Sequence, residues 1–409
     1  MKPFSKATMM EATRLTRNGQ LQEAMALLQG LSSDEASSAA GFGAQHYNDR
    51  RSVGGAASVI DITPTAATSK TRTASPSPER DPRSEPKKSS IPQVLRGFLD
   101  RVGTQGFEGL GSSPVAPDTG TLPDGARFSA RTYANAAGSR EYKLYVPSGY
   151  DGQAVPLVIM LHGCTQSPDD FAAGTRMNEL AEEQTFLVAY PAQSRSANTS
   201  KCWNWFNAGD QDRDRGEPSL IAGITRQIID EFSVEPECVY VAGLSAGGAA
   251  AAIMGATYPE LFTAVGVHSG LARGAARDMG SAFAAMRKGA APNSQTSASG
   301  GLVPTIVFHG DRDATVHPVN GEHVIEQAKA AAGVQTEIRQ GEAPGGIRYT
   351  QTVHADEERG TTLEHWVLHG AGHAWSGGSP AGTYTEPKGP DASREMLRFF
   401  REQAGATRG

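Results

Sequence analysis

The chain has 409 residues, which is enough for one large α/β domain with additional segments and a substantial core. Its formal net charge is −6, so no excess of positive charge indicates a nucleic-acid partner. No run of 18 apolar residues occurs, and the sequence therefore predicts no transmembrane segment.

The N-terminus lacks the pattern of an export signal. Residues 1–10 contain no apolar core, and charged side chains follow at Glu11 and Arg14. We therefore expect a cytoplasmic protein. Its cysteines, Cys164, Cys202 and Cys238, give neither a disulfide framework nor a metal-ligand spacing, and Cys238 is expected to be a small core residue.

The first 125 residues differ in composition from the rest of the chain. Residues 1–30 have apolar side chains at helical spacing, broken at Asn18 and Gly19, which predicts a short helical hairpin. This hairpin either docks a partner or packs on its own domain. Residues 31–125 are rich in Ser, Pro and Gly and predict a mostly disordered linker, with a short helix at 91–102.

Residues 126–405 alternate predicted strands and helices, which is typical of a mostly parallel sheet with helices on both faces. A hairpin at the sheet edge opens this region. The predicted strands are 128–133, 141–147, 156–162, 186–190, 238–242, 264–268, 304–309 and 364–369, and the helices are 176–183, 219–232, one after Gly247, and 393–402. In such sheets the functional residues lie at the carboxyl ends of the strands.

A buried strand runs into the sequence Gly-Leu-Ser-Ala-Gly at residues 243–247, and a helix of small residues follows it. A G-x-S-x-G turn between a strand and a helix is the nucleophile elbow, in which one serine is lifted above the sheet edge. Glycines on both sides avoid steric collision with the neighbouring strand and helix. Ser245 is therefore the candidate nucleophile.

A serine nucleophile needs donors for an oxyanion and an oriented base. The loop after the strand at 156–162 predicts an oxyanion hole formed by the backbone N–H groups of Cys164 and Ala246. The later segment H-G-x-x-D-x-x-V offers two carboxylates, Asp311 and Asp313. We choose Asp313 as the triad acid, with Asp311 bracing the loop.

The candidate base is His373, which lies in a glycine-rich loop late in the chain. The order Ser, acid, His is that of α/β-hydrolases. His369, His317 and His268 are expected to be structural. A triad of this kind cleaves esters through an acyl-enzyme and requires no metal or organic cofactor.

Two tryptophans, Trp203 and Trp205, follow a predicted strand closely. They are consistent either with a flat apolar wall for an acyl or polymer chain or with a hydrophobic plug beneath a loop. Cys164 and Cys202 both lie in loops at the same end of the sheet. A disulfide between them fits these positions, whereas a reducing cytoplasm argues against one.

Five segments together resemble the poly(3-hydroxybutyrate) depolymerase-type esterases of the α/β-hydrolase superfamily. The resemblance covers residues about 126–405 and implies a carboxylic-ester hydrolase with Ser245, Asp313 and His373 as triad and Cys164 at the oxyanion hole. Gln166, Trp203, Trp205 and Trp375 are the candidate substrate-binding residues within these segments. The segments are LHGCTQ at 161–166, CWNWF at 202–206, GLSAGG at 243–248, HGDRDATV at 309–316 and GHAWSGG at 372–378.

Several functions stay open within and beyond this family. Its members act on polyhydroxyalkanoates, on short acyl esters, or on feruloyl and acetyl esters of plant polysaccharides, so the resemblance implies an ester or polyester substrate without choosing among them. Secreted members make an extracellular location the alternative to the cytoplasm. A hypothesis from another class is a non-catalytic protein that binds a polymer granule or a partner, with residues 1–30 as its docking element.

Overall fold

The computed structural model describes residues 122–290, 303–329, 335–356 and 361–406, all within the unit Ser89–Gly409. The predicted hairpin at 1–30, the short helix at 91–102 and the linker up to residue 121 lie outside the described residues. Among the helices described, none combines the length and the apolar composition that a membrane span needs.

In the described part of the chain, ten strands form one sheet in the order β1-β2-β4-β3-β5-β6-β7-β10-β9-β8. The six central strands, from β4 to β10, pair in parallel, and an antiparallel pair flanks them on each side. The strands are β1 Arg127–Asn135, β2 Gly138–Val146, β3 Val155–Leu161, β4 Leu187–Pro191, β5 Val234–Leu244, β6 Ala264–His268, β7 Thr305–Gly310, β8 Gln335–Glu342, β9 Arg348–Asp356 and β10 Thr361–Leu368.

Helices cover both faces of this sheet, and each face has its own apolar core. Both faces have a core because β3 and β5 to β7 direct alternate buried side chains to the two faces. Four helices contribute to the first core and three to the second. The first face has α3 Gly216–Glu231, α4 Ala246–Thr257, α5 Met279–Lys288 and α6 Val319–Ala328, and the second has α1 Pro168–Thr175, α2 Met177–Gln184 and α7 Ala392–Ala406. A short parallel pair, β11 Trp375–Ser376 and β12 Thr385–Glu386, follows β10.

The predicted fold class is confirmed, and most of the predicted strands are present with shifts of a few residues at their ends. The sequence prediction missed α1, α5 and α6 and the antiparallel strands β8 and β9. Strand β8 is exposed along its length, including Ile338, so it has no buried face to give a period-two pattern.

The parallel strands deliver the candidate site residues to one edge of the sheet. Strand β3 ends just before Cys164, β5 just before Ser245, β7 shortly before Asp313, and β10 shortly before His373. Carboxyl ends of parallel strands point the same way, so these four loops meet above the same edge.

Candidate active site

Ser245 lies between β5 and α4 in a backbone conformation that is rare for a residue with a side chain, at φ 58° and ψ −118°. Its N–H donates to the carbonyl of His268 at the end of β6, which holds the turn against the sheet. The next residue, Ala246, begins α4, and the first N–H groups of a helix have no acceptor within that helix. The elbow thus presents a serine beside available backbone donors.

The predicted acid and base are paired. His373 Nδ1 lies 2.7 Å from Asp313 Oδ2, while Asp313 Oδ1 accepts from the N–H groups of Thr315 at 2.9 Å and Val316 at 2.8 Å. Burial opposes ionisation of Asp313, but the charge of His373 and hydrogen bonds from His309 and His373 outweigh it. The pKa of Asp313 is therefore held well below its ordinary value. Asp313 is present as a carboxylate.

Asp311 forms a separate pair that does not reach His373. Its Oδ1 accepts from the N–H of Gly370 at 2.7 Å, and its Oδ2 lies 3.0 Å from His369 Nδ1. These bonds tie the loop after β7 to the loop after β10. The expected bracing role of Asp311 and the structural role of His369 agree with this geometry.

The other two histidines that the sequence assigns to structure are also held by backbone groups. His268 is fully buried, and its Nε2 accepts from the N–H of Ser376. Desolvation lowers its pKa to about 3, so the ring is neutral. His317 Nδ1 accepts from the N–H of Val319 within its own loop.

A buried histidine supports the loop with the predicted oxyanion donor. His162 Nε2 accepts from the N–H of Gln193, so Nδ1 carries the proton and donates to the carbonyl of Gly163 at 2.7 Å. Desolvation lowers the pKa of His162 to about 4, which keeps this arrangement neutral. The sequence prediction did not assign His162 a role.

Gln166 was predicted to bind substrate, and this prediction is wrong. Its side chain is 3% exposed and is not among the groups that line the pocket with Ser245. Gln166 Oε1 accepts from the N–H of Gly163, and its Nε2 donates to Asp170 and to the carbonyl of Thr383. Gln166 therefore braces the loop instead of contacting a substrate.

Cys164 and Cys202 form a disulfide. It joins the predicted oxyanion loop to the segment that carries both tryptophans. The same segment is pinned at its base by Glu217 of α3, a buried carboxylate that accepts from the N–H of Asn204 at 2.7 Å. The loop is thus tied at two points. Cys238 is buried in β5, as expected.

One pocket brings the candidate catalytic groups together. Ser245, Ala246, Cys164 and His373 all line it. The remaining lining comes from the loops after β3, β4, β6 and β7, from the end of β5, from four side chains of α5, and from Tyr384. Ser245, Ala246, Cys164 and His373 are the predicted triad and oxyanion-hole members that must reach the substrate. They therefore share one cavity. Asp313 lies behind them, 5% exposed.

The three tryptophans predicted to bind substrate differ in position: Trp205 lines the pocket, whereas Trp203 and Trp375 are buried and do not line it. Trp203 is fully buried, and its Nε1 donates to the carbonyl of His162, so it is a plug and its predicted substrate contact is wrong. Trp375 is 1% exposed, donates to Ser393 and stacks on His268, so its predicted substrate contact is wrong as well. Trp205 lines the pocket, which is compatible with the predicted contact.

We expect Trp203→Phe and Trp205→Phe to have different effects. The first removes the donor to His162 and should cost about 1–2 kcal/mol of stability, with equal losses of kcat/KM on all esters. The second trims a pocket wall and should lower kcat/KM about threefold for bulky esters and less for p-nitrophenyl acetate. Thermal unfolding and a panel of esters measure both. A selective loss in Trp203→Phe would contradict its role as a plug.

The residues missed by sequence reasoning share a signal. His162 and His309 each stand at a strand end directly before a glycine, and each supports a neighbouring site loop. His309 Nε2 lies 2.8 Å from the carbonyl of Val316 and 3.4 Å from Asp313 Oδ2. Histidine at this position can bond the backbone of the following loop with one ring nitrogen. The repeated His-Gly pair was the available sign.

The chain matches known proteins over the region that carries this site. A family model described as esterase PHB depolymerase matches residues 140–343, which include Cys164, Ser245 and Asp313 and stop before His373. Poly(3-hydroxyalkanoate) depolymerase C from Paucimonas lemoignei is 33% identical over 239 residues, or 56% of this chain and 57% of that protein. The match thus spans little more than half of that relative.

Other relatives are named as feruloyl and acetylxylan esterases. Feruloyl esterase B from Thermothelomyces thermophilus is 28% identical over 56% of this chain and 82% of its own length. Acetylxylan esterase A from Talaromyces purpureogenus is 30% identical over 49% of this chain and 54% of its own.

A solved structure agrees with the fold. The acetyl xylan esterase from Aspergillus awamori superposes with a TM-score of 0.54 at 20% identity, over 68% of this chain and 99% of that one. This likeness concerns the arrangement of sheet and helices, which is the α/β-hydrolase fold. With a family model that covers the elbow and the acid loop, and a depolymerase relative that is 33% identical, the chain belongs to the PHB depolymerase-type esterase family.

Proposed function

We propose that the chain is a serine carboxylic-ester hydrolase in which Ser245 is the nucleophile, His373 the general base and Asp313 the acid. The observation that carries this proposal is the 2.7 Å pair between His373 Nδ1 and Asp313 Oδ2, placed so that His373 and Ser245 line one pocket. Members of the same family and relatives named as esterases support it.

The proposal gives each proton a donor and an acceptor. Because His373 Nδ1 donates to the Asp313 carboxylate, Nε2 is the nitrogen left to accept the Ser245 proton. Ser245 Oγ then bonds to the ester carbonyl carbon, and the N–H groups of Cys164 and Ala246 bind the resulting oxyanion. His373 returns its proton to the leaving alcohol. Water then attacks the acyl-enzyme, with His373 again as base, and releases the acid and free Ser245.

The leading substrate class is a polyhydroxyalkanoate or its soluble oligomers, supported by the depolymerase relative. A feruloyl or acetylxylan-type ester is the second candidate, supported by the relatives that bear those names. The pocket suits either, since among its described lining residues none is Asp, Glu, Lys or Arg. A neutral ester arm therefore meets no buried charge there.

The disulfide between Cys164 and Cys202 favours an oxidising compartment over the cytoplasm that the N-terminal sequence predicts. We accordingly favour the extracellular alternative. The docking role of residues 1–30 and the non-catalytic hypothesis stay predictions, since that segment lies outside the described residues.

Labelling with a fluorophosphonate probe tests the proposal. The wild-type chain should take up one probe per molecule at Ser245, identified by peptide mass, and Ser245→Ala should take up none while keeping its unfolding temperature. A panel of p-nitrophenyl acetate, 3-hydroxybutyrate oligomers, methyl ferulate and acetylated xylan then ranks the substrate classes. A folded wild-type protein that neither labels nor hydrolyses any of them would support the non-catalytic hypothesis.

A further inference from the structure

Helix α5, which the sequence prediction missed, forms an apolar wall of the pocket. Four of its side chains line the pocket at positions i, i+3, i+4 and i+7, which is one stripe of a helix: Met279, Ala282, Phe283 and Met286. Leu271 and Val316 extend this wall beyond the helix. Met279, at the beginning of the stripe, is 40% exposed, an unusual exposure for a large apolar side chain in this structure.

The helix is held at both ends. Asp278 and Ser281 form a reciprocal capping box at its beginning. Near its end, the carbonyl of Ala285 accepts from Asn320 Nδ2 and the carbonyl of Met286 accepts from the N–H of His317. His317 follows the loop that carries Asp313. The apolar wall is therefore fixed relative to the catalytic acid.

A second group of the residues that line the pocket is polar. Thr165 Oγ1 and the Tyr384 hydroxyl lie 3.3 Å apart, and both residues line the pocket together with Asn198 and Ser200. The Asn198 side chain is committed to its own loop, since Oδ1 accepts from the N–H of Ser200 and Nδ2 donates to Asn204. The hydroxyls of Thr165 and Tyr384 lie next to each other in this group and are the pair that we consider for contact with a substrate.

We propose that the pocket receives esters with two chemically different arms, an apolar arm along α5 and a hydroxyl-bearing arm against Thr165 and Tyr384. This rests on the proposed esterase function. Burial of alkyl groups stabilises the apolar arm against α5. A hydroxyl on the other arm strengthens binding only where the protein provides a hydrogen-bond partner. Ala282 and Phe283 set the length of the apolar arm, and Tyr384 recognises the other.

Two isomeric esters identify which arm is apolar. Ethyl hexanoate and hexyl acetate have the same composition, and each adds four methylenes to ethyl acetate on one side of the ester bond. We expect kcat/KM of one isomer to exceed that of ethyl acetate by about tenfold or more, since each fully buried methylene contributes about fourfold. The other isomer should stay within about threefold of ethyl acetate. Similar values for both isomers would overturn the proposal.

Matched substitutions on α5 locate the apolar arm. Ala282 faces the pocket and Ala284 is exposed on the other side of the helix. Ala282→Phe should lower kcat/KM of the preferred isomer at least tenfold and of ethyl acetate less than threefold, whereas Ala284→Phe should change neither. Because Ala282 is tightly packed, Met279→Ser provides a second test at an exposed position. This substitution should lower the ratio of kcat/KM for the preferred isomer to kcat/KM for ethyl acetate about threefold.

The polar arm is tested by adding one hydroxyl to the two-carbon side of the preferred isomer. 2-Hydroxyethyl hexanoate is the test ester if ethyl hexanoate is preferred, and hexyl hydroxyacetate if hexyl acetate is preferred. The hydroxyl should raise kcat/KM about threefold or more over the parent isomer in the wild type. In Tyr384→Phe the ratio of these two kcat/KM values should fall to about one, whatever the activity of the variant on the parent isomer. A gain that survives in Tyr384→Phe would refute the polar half.

The outcomes for the two proposals are separable. A folded wild-type protein that is not labelled at Ser245 and does not hydrolyse ethyl acetate would reject the esterase function itself. Normal labelling and ethyl acetate hydrolysis, with no preference between the isomers or with equal effects of Ala282→Phe and Ala284→Phe, would reject only the division of the pocket.

Discussion

Replacing Asp313 with Asn is expected to lower kcat for ester hydrolysis by about 10⁴-fold with little change in KM. The asparagine fits the space and can still accept from the N–H groups of Thr315 and Val316. Its Nδ2 donor would then face His373 Nδ1, which forces the ring proton onto Nε2. A protonated Nε2 cannot take the proton of Ser245, so the nucleophile is not activated. Burst and steady-state kinetics on p-nitrophenyl acetate measure the loss.

The matched control is Asp311→Asn, two residues earlier in the same loop. Asp311 bonds Gly370 and His369 but not His373, so its loss should loosen the loop and lower kcat less than tenfold. Both variants should retain cooperative thermal unfolding, which separates a catalytic effect from a folding defect. A larger kcat loss in Asp311→Asn than in Asp313→Asn would transfer the acid role to Asp311.

The elbow and the acid loop could be predicted because their signals are local. A β-branched strand, a glycine turn and a helix of small residues occupy one short stretch around Ser245, and the choice between Asp311 and Asp313 depended on the spacing to Val316. The parallel core of the sheet was predictable for the same reason, since β3, residues 238–244 of β5 and residues 306–308 of β7 are apolar and almost completely buried.

The substrate-binding predictions failed where orientation depends on distant contacts. Whether Trp203 faces the pocket is decided by its bond to His162, which lies 41 residues away in sequence. Trp375 is turned inward by Ser393 of α7 and by His268 of β6. The residues Trp203 and Trp205 are two apart, yet one is a plug and the other lines the pocket. Sequence spacing carries no information about which of the two turns inward.

The wall formed by α5 was missed for a different reason. Its sequence includes Gly280, Ser281 and three alanines, so its stripe of Met279, Ala282, Phe283 and Met286 differs little in hydropathy from the neighbouring positions. The capping pair of Asp278 and Ser281 was the local sign of a helix beginning there.

Replacing Gly247 with Ala is expected to destabilise the fold by about 4 kcal/mol or more and to abolish activity. A Cβ at this position would lie less than 3.0 Å from the carbonyl oxygens of Leu161 and His162. Those oxygens belong to backbone that cannot withdraw, because β3 pairs with β5 from Leu157 to Leu161 and its end carries the oxyanion loop. Relief therefore requires α4 to move away from β3, which displaces Ser245 from the loop with Cys164.

Gly209→Ala is the control for this substitution. Gly209 is exposed, and no atom lies within 4 Å of the position that its Cβ would take. This variant should unfold within about 0.5 kcal/mol of the wild type, as surface substitutions usually do. Thermal and urea unfolding, with fluorophosphonate labelling of any folded fraction, compare the two. A Gly247→Ala protein with wild-type stability and labelling would mean that α4 can shift on the sheet without moving Ser245. The position of the elbow would then depend on the hydrogen bond from the Ser245 N–H to His268, and not on the close approach of α4 to β3.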